Sequence, residues 1–413
     1  MNYLFIHQNF PGQYRHIVAD LARDPDNQVR FISQPNEAEL PGVHKVTYLP
    51  DSRRQLGGHA WTAEFNRAVH TGASVADVCR GLEAQGFRPD LVVGHGGWGE
   101  TLFVKDALPG VPVLANFEFY YHTRGVDVDF DPEFQSTFHT PSQLRVRNST
   151  ALLNFQCVDW GHSATRWQRS LHPREMQARI SVLHEGVDTA LARPDPRARF
   201  QLPGGRTLTA KDEVLTYVAR NLEPYRGFHT FMRCLPVLLK RRRRAHVVIA
   251  GSDGVSYGAP AAPRSTWREW ILQELEGKLD LARVHFVGRL EHADYLRLLQ
   301  VSSAHVYLTY PFVLSWSFIE ALASGCVVLG SATAPVMEVL RDGVNGVAVD
   351  FFDHEGLAAR LAEVLASPGD YRRLRAAARA TAVEHFDLRT RALPRWHRLF
   401  ADLIKGRKPR LGV

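Results

Sequence analysis

The run Val214-Leu-Thr-Tyr-Val218, continuing through Ala219-Arg220-Asn-Leu-Glu-Pro-Tyr-Arg226-Gly227 into Phe228–Lys240, sets the architecture of half the chain. Its first five residues read as a buried strand, its proline and glycine as a turn, and 228–240 as a helix. His246-Val-Val-Ile-Ala250 follows as the next strand. The rhythm then repeats. Val284-His-Phe-Val287, Val306-Tyr-Leu308, Val327-Val-Leu329 and Gly346-Val-Ala-Val349 read as strands, and Trp267–Leu279, Ala293–Val301, Ser317–Ser324 and Gly356–Leu365 as helices. Repeated β-α units predict a parallel sheet covered by helices on both faces.

The same pattern runs through the other half. Tyr3-Leu-Phe-Ile-His7, Val29-Arg-Phe-Ile-Ser33, Leu91-Val-Val-Gly94, Val113-Leu-Ala115 and Ile180-Ser-Val-Leu183 are strand-like, and Phe65, Val69, Ala76, Cys79 and Leu82 recur at helical spacing. The proline-, glycine- and charge-rich stretch from Arg193 to Gly205 reads as a linker. The expected organisation is therefore an N-terminal Rossmann-like domain (1–192), a linker (193–210), a second domain (211–388), and a C-terminal helix with a basic tail (389–413) packing back toward the first domain. This is α/β: two doubly wound parallel-sheet domains, with ligands at the carboxyl ends of the strands in a cleft between them.

The chain has 413 residues, 45% hydrophobic and 23% charged, which excludes a disordered or collagenous protein. No apolar run approaches the roughly 20 residues of a membrane-spanning helix. The opening Met1-Asn-Tyr-Leu-Phe-Ile-His7 lacks the basic start and long apolar core of a signal peptide. Cys79, Cys157, Cys234 and Cys326 form no CxxC pair, which points to a reducing, cytoplasmic location. The net charge of +7 predicts affinity for anions, with peripheral contact at the inner face of an anionic membrane as a secondary expectation. Lys240-Arg-Arg-Arg-Arg244 reads as the solvated end of a helix. There is no HExxH or Cys/His zinc spacing, no GxSxG and no phosphate-binding GxxxxGK[ST] loop, and no aromatic–basic groove for nucleic acid.

Three stretches can carry chemistry. Asn9-Phe-Pro-Gly12-Gln13 follows the first strand, where glycine lets the backbone approach a phosphate at a helix N-terminus. Arg220 and Arg226 follow the first strand of the second half, where guanidinium groups suit a diphosphate. In Tyr310-Pro-Phe312-Val-Leu-Ser315-Trp316-Ser317-Phe-Ile-Glu320, a strand ends, a Ser/Trp/Ser loop follows, and Glu320 is expected in the first turn of a helix.

These stretches, with Val248-Ile-Ala-Gly251, Val287-Gly-Arg289-Leu290, Glu320-Ala-Leu-Ala-Ser-Gly325 and Ala334-Pro-Val-Met-Glu338…Asp342-Gly…Asn345-Gly346, resemble the retaining family-four (group 1) glycosyltransferases of GT-B architecture. His16, Pro89-Asp-Leu-Val-Val-Gly-His95 and His184-Glu-Gly-Val-Asp188 extend the likeness into the first half. The resemblance implies that Gly12 lies against the donor and that Arg220 and Arg226 neutralise the diphosphate. It puts Arg289 and Leu290 at the nucleobase, Ser315, Trp316 and Ser317 at the distal phosphate, and Glu320 on the ribose. It implies metal-independent transfer, with retention, from a UDP- or GDP-sugar to a hydroxyl acceptor, without a cofactor. The alternatives are an epimerase or phosphorylase of the same fold, or a nucleotide-sugar-binding protein without turnover. Three departures bear on sugar selectivity. Phe312 stands where the family often has a second glutamate, Glu118 stands near a frequent histidine, and Glu185 replaces an asparagine. Glu118, His95 and His122 are accordingly candidates for the reaction centre.

Overall fold

The computed structural model describes residues 1–50, 58–134, 140–261 and 265–412. The chain divides into two compact units. The first comprises Met1–Asp129, Gln135–Gly186 and Leu388–Val413, and the second Phe130–Phe134 and Val187–Asp387.

The first unit holds a seven-stranded sheet, β1 (Asn2–Ile6), β2 (Gln28–Ser33), β3 (Val43–Thr47), β4 (Leu91–His95), β5 (Val113–Asn116), β6 (Trp160–Ser163) and β7 (Ile180–Val182), in the order β3-β2-β1-β4-β5-β6-β7. All pairs are parallel. The period-2 geometry of a strand, with both faces covered, explains why β1 is apolar from Tyr3 to Ile6. Tyr3 and Phe5 pack on one face with Trp396 and Phe400, while Leu4 and Ile6 pack on the other with Val75, Ala76 and Cys79 of the helix Ala63–Ala84. The C-terminal stretch contributes a π-helical turn, Leu388–Ala392, and then the helix Leu393–Ile404.

The second unit contains a short antiparallel pair, β8 (Arg199–Gln201) with β9 (Thr207–Thr209), and a six-stranded parallel sheet. Its strands are β10 (Val214–Asn221), β11 (His246–Ser252), β12 (Val284–Gly288), β13 (Ala304–Tyr307), β14 (Val328–Ser331) and β15 (Val347–Val349), ordered β12-β11-β10-β13-β14-β15. The stretch expected to be a linker is therefore part of this unit, which begins at Val187. Its charged and proline-rich composition conceals Phe200, Leu202 and Leu208, which are buried against Val214 and Val248.

The helices are Phe228–Arg241, Trp267–Glu274, His292–Gln300, Trp316–Ala323 and His354–Ala366, within two residues of the expected ends except that the second stops at Glu274, well short of the expected Leu279. In both sheets the strand order reverses once, at β1/β4 and at β10/β13. Such reversals open a crevice at the carboxyl ends of the strands. Among the described residues, no helix is long and apolar enough to cross a membrane.

Candidate functional site

In the second unit a cavity opens at the β10/β13 reversal, lined by Arg220, Asn221, Glu223, Arg226, Tyr257, Ser315 and Ser317. β10 runs on to Asn221, beyond the expected end at Val218, and so carries Arg220 to the tip of the sheet. Arg220 is exposed and has no hydrogen bond or ion pair to any described residue.

Arg226 is a different kind of group. It is buried, and its Nη1 donates to Thr309 Oγ1 (2.8 Å), the Val313 carbonyl (3.0 Å) and Tyr307 Oη (3.2 Å). Burial works against its charge, but Tyr307, Tyr257 and Glu223 outweigh that and hold it above the ordinary arginine value. It brings a fixed positive potential to the cavity while bracing the wall.

Tyr257, whose ring lies 5.1 Å from the Arg226 guanidinium carbon, sits on a loop organised by Glu223. The Glu223 carboxylate is fully buried and accepts from the amides of Ser256, Tyr257 and Gly258 at 3.1–3.2 Å.

The helix Trp316–Ala323 starts with Ser315 as its cap, Ser315 Oγ accepting from the Ser317 amide. The Ser315 amide, expected at the distal phosphate, instead donates to Tyr307 Oη (2.8 Å). What these serines offer to the cavity is hydroxyl groups, 3.0 Å apart, at a helix N-terminus.

Glu320 lies in the second turn, not the first, because the helix begins at Trp316. His292 Nε2 lies 2.9 Å from Glu320 Oε1, which ties this carboxylate to the segment just after Arg289 and Leu290. Of the expected donor residues, the cavity gathers Arg220, Arg226, Ser315 and Ser317. Arg289, Leu290, Trp316 and Glu320 lie outside its lining, and Gly12 is in the other unit. Phe312 is buried against Tyr257 (4.9 Å) and edge-on to Tyr225 (5.6 Å), an apolar wall where a carboxylate was the comparison.

In the first unit, Gly12 has φ +53°, and a β-carbon there would meet the His7 ring at 2.7 Å, so both conformation and space require glycine. His95 closes β4. Its Nδ1 accepts from the Gly97 amide (3.0 Å), so Nε2 carries the proton. That Nε2 is 3.6 Å from Glu118 Oε2. His184 repeats the arrangement, with Nδ1 accepting from the Gly186 amide (2.9 Å). His122 is tied to the Leu171 carbonyl at 2.7 Å, a bracing role.

Sequence reasoning missed Trp98, Glu100, Glu223, Tyr257 and His292. A histidine ending a strand two residues before a glycine was the readable signal for the imidazole turns. Glu223 had none, since its partners are amides of a distant loop.

Asp131, Glu133 and His229 bring potential metal-ligand atoms within 4.8 Å of one another. Asp131 Oδ2 already takes Tyr310 Oη (2.7 Å) and lies 3.2 Å from His229 Nε2, while Glu133 is held by both terminal nitrogens of Arg233 (2.6 and 2.7 Å). The two carboxylates of the trio are thus already engaged by Tyr310, His229 and Arg233.

Residues 25–192 match the model of the glycosyl transferase family 4 group, and residues 205–381 that of the glycosyl transferases group 1. The chain belongs to this glycosyltransferase family and has its GT-B fold. Similar curated proteins include the glycogen synthase of Mycobacterium tuberculosis, 29% identical over 213 residues (52% of this chain, 46% of that one). The D-inositol 3-phosphate glycosyltransferase of Streptomyces griseus is 29% identical over 222 residues (50% and 45%). The matched region thus spans about half the length of these relatives. Among solved structures, sucrose-phosphate synthase of Thermosynechococcus elongatus superposes with TM-score 0.72 at 18% identity, covering 98% of this chain and all of that one (100%). Anabaena HepE in complex with UDP superposes with TM-score 0.67 at 16% identity, covering 97% and 100%.

Proposed function

We propose that this protein transfers a sugar, with retention at the anomeric carbon and without a metal ion, from a nucleoside-diphosphate sugar to a hydroxyl acceptor. The observation that carries the reading is Arg220, a guanidinium without a partner among the described residues, at the β10/β13 reversal beside the buried charge of Arg226. Family membership supports the reaction class, and the UDP bound to HepE supports the donor class.

Cleavage of the anomeric C–O bond leaves negative charge on the departing diphosphate. Arg220 meets that charge with a movable bidentate fork, and Arg226 with a fixed potential. The hydroxyls of Ser315 and Ser317 and the positive end of their helix add donors already in place. Glu320, oriented by His292, accepts from the ribose diol. The chain's residues therefore stabilise a leaving group rather than form a covalent intermediate.

Incubation with UDP- and GDP-sugars and an acceptor panel, with and without EDTA, tests the reading, and the product's anomeric configuration is read by NMR. Arg220→Ala is expected to lower kcat/KM by about 100-fold or more with the fold intact. Near-normal turnover in that variant would reject the diphosphate site. The Phe312 wall motivates one competing reading, nucleotide-sugar binding without turnover. It predicts calorimetric binding of the donor and no product from any acceptor.

A further inference from the structure

The first unit has its own reversal point, at the carboxyl ends of β1 and β4, and Trp98 lies there. The indole is 38% exposed although it belongs to a loop of small residues, Gly96-Gly97-Trp98-Gly99. It stacks on His95 with ring centres 3.8 Å apart and planes 16° from parallel, and His7 meets it edge-on at 5.2 Å. Both imidazoles are buried, so one face of the indole has a fixed backing and the other looks outward.

Beside it is an unmet hydrogen-bond donor. His95 Nε2 carries its proton, is buried, and has no hydrogen-bond partner among the described residues; Glu118 Oε2, at 3.6 Å, is too far for a direct bond. Glu118 itself is 37% exposed.

We propose that this is the acceptor's seat and that the acceptor is itself a glycoside, its pyranose ring on Trp98 and one hydroxyl bridging His95 Nε2–H and Glu118. The inference rests on the transferase reading. A sugar ring presents a face of C–H bonds, which suits the electron-rich face of an indole. A hydroxyl both donates and accepts, so it alone satisfies an N–H on one side and a carboxylate on the other. An aliphatic chain would cover the indole but leave the buried N–H unmet, at a cost in free energy. In this arrangement Glu118 touches the acceptor, and His95 holds the hydroxyl with a proton that the Gly97 amide keeps on Nε2.

Saturation-transfer NMR on the full chain with methyl α-D-glucopyranoside, methyl α-D-mannopyranoside and maltose tests this, with n-octanol as the apolar control. Transfer is expected at ring C–H protons. Affinity should fall about tenfold in Trp98→Ala and recover largely in Trp98→Phe. Glu118→Ala should weaken glycoside binding while the melting temperature of each variant stays at the wild-type value. Transfer to octanol but to no glycoside, or glycoside signals indifferent to Trp98→Ala, would overturn the proposal. Calorimetric titration of UDP on the same samples keeps the two readings apart. Loss of UDP binding in the wild type would reject the donor site, whereas loss of glycoside contact alone would reject this one.

Discussion

The Arg226 guanidinium donates to Thr309 Oγ1, Tyr307 Oη and the Val313 carbonyl, so removing it takes a donor from all three in a buried wall, of which Tyr307 Oη keeps a second donor in the Ser315 amide. Arg226→Ala is expected to cost about 2–4 kcal/mol of stability, and Arg220→Ala less than about 0.5, as read from denaturant midpoints. Loss of activity in Arg226→Ala would then be partly structural, and Arg220→Ala is the cleaner test of the proposed diphosphate site. Glu100 is a second buried ionisable group. It is fully enclosed, Tyr48 Oη donates to its Oε1 at 3.4 Å, and burial pushes its carboxyl up to about 7 from an ordinary 4.5. Between those values the folded protein holds a proton that the unfolded chain has released. Stability therefore falls as pH rises through the window and levels off above it, by on the order of 3 kcal/mol. Glu100→Gln should flatten this slope in urea titrations at pH 5 and 8. Equal slopes in both proteins would show that Glu100 ionises normally.

At the level of elements, the turn after β10 is built by its own residues. Gly227 caps the helix Phe228–Arg241 at φ +66°, and a β-carbon there would come within 2.4 Å of the Leu308 Cβ, so the chain can turn here only with glycine. Glu223, in the same turn, organises a loop that belongs to another βα connection. Glu223→Ala frees three amides, and limited proteolysis should then cut near Ser256–Gly258 well before it does in the wild type; an unchanged cleavage pattern would show the loop to be held otherwise. β1 from Tyr3 on and the first part of β10, Val214 to Val218, were readable because these segments are mostly buried and mostly apolar. β6, Trp160-Gly-His-Ser163, was not readable. It is just as buried, but its small and polar residues are accommodated by contacts from elsewhere in the fold, including a bond from Trp160 Nε1 to Ser181 Oγ (2.8 Å). β3 alternates weakly along an edge and escaped for the opposite reason.

For the whole molecule, histidines that burial disfavours as cations occur in both units. Burial lowers His162 to about 3 and His172 and His184 to about 4 in the first unit, and His305 to about 3 in the second. Below 6.5 the unfolded chain binds protons that these rings refuse, so stability falls as pH drops from there toward 4. Glu100 offsets part of this in the first unit. Burial lowers His246 and His285 of the second unit as well, so protease sensitivity is expected to rise in both units as pH drops from 6.5 to 4.5; a digestion pattern unchanged at pH 4.5 would contradict this. Arg220, Arg226, Ser315 and Ser317, which line one cavity, stand at the end of a strand, in the turn after it or at a helix start, so local pattern singled them out. Trp98 and Glu100 owe their surroundings to contacts brought together by the sheet, and no local spacing announces that.

The five residues Phe130–Phe134 have a practical consequence. They come from the N-terminal half of the chain, yet Phe130 lies among Tyr310, Phe351 and Phe352, and Phe134 against Trp267 and Trp270. Anyone truncating the gene at Val187 to express the C-terminal lobe alone would strip a plug from an aromatic hollow and leave sticky rings bare to water. No single scission yields two intact halves. A soluble fragment calls for that pentapeptide to be supplied as well, either grafted on through a short tether or added in trans.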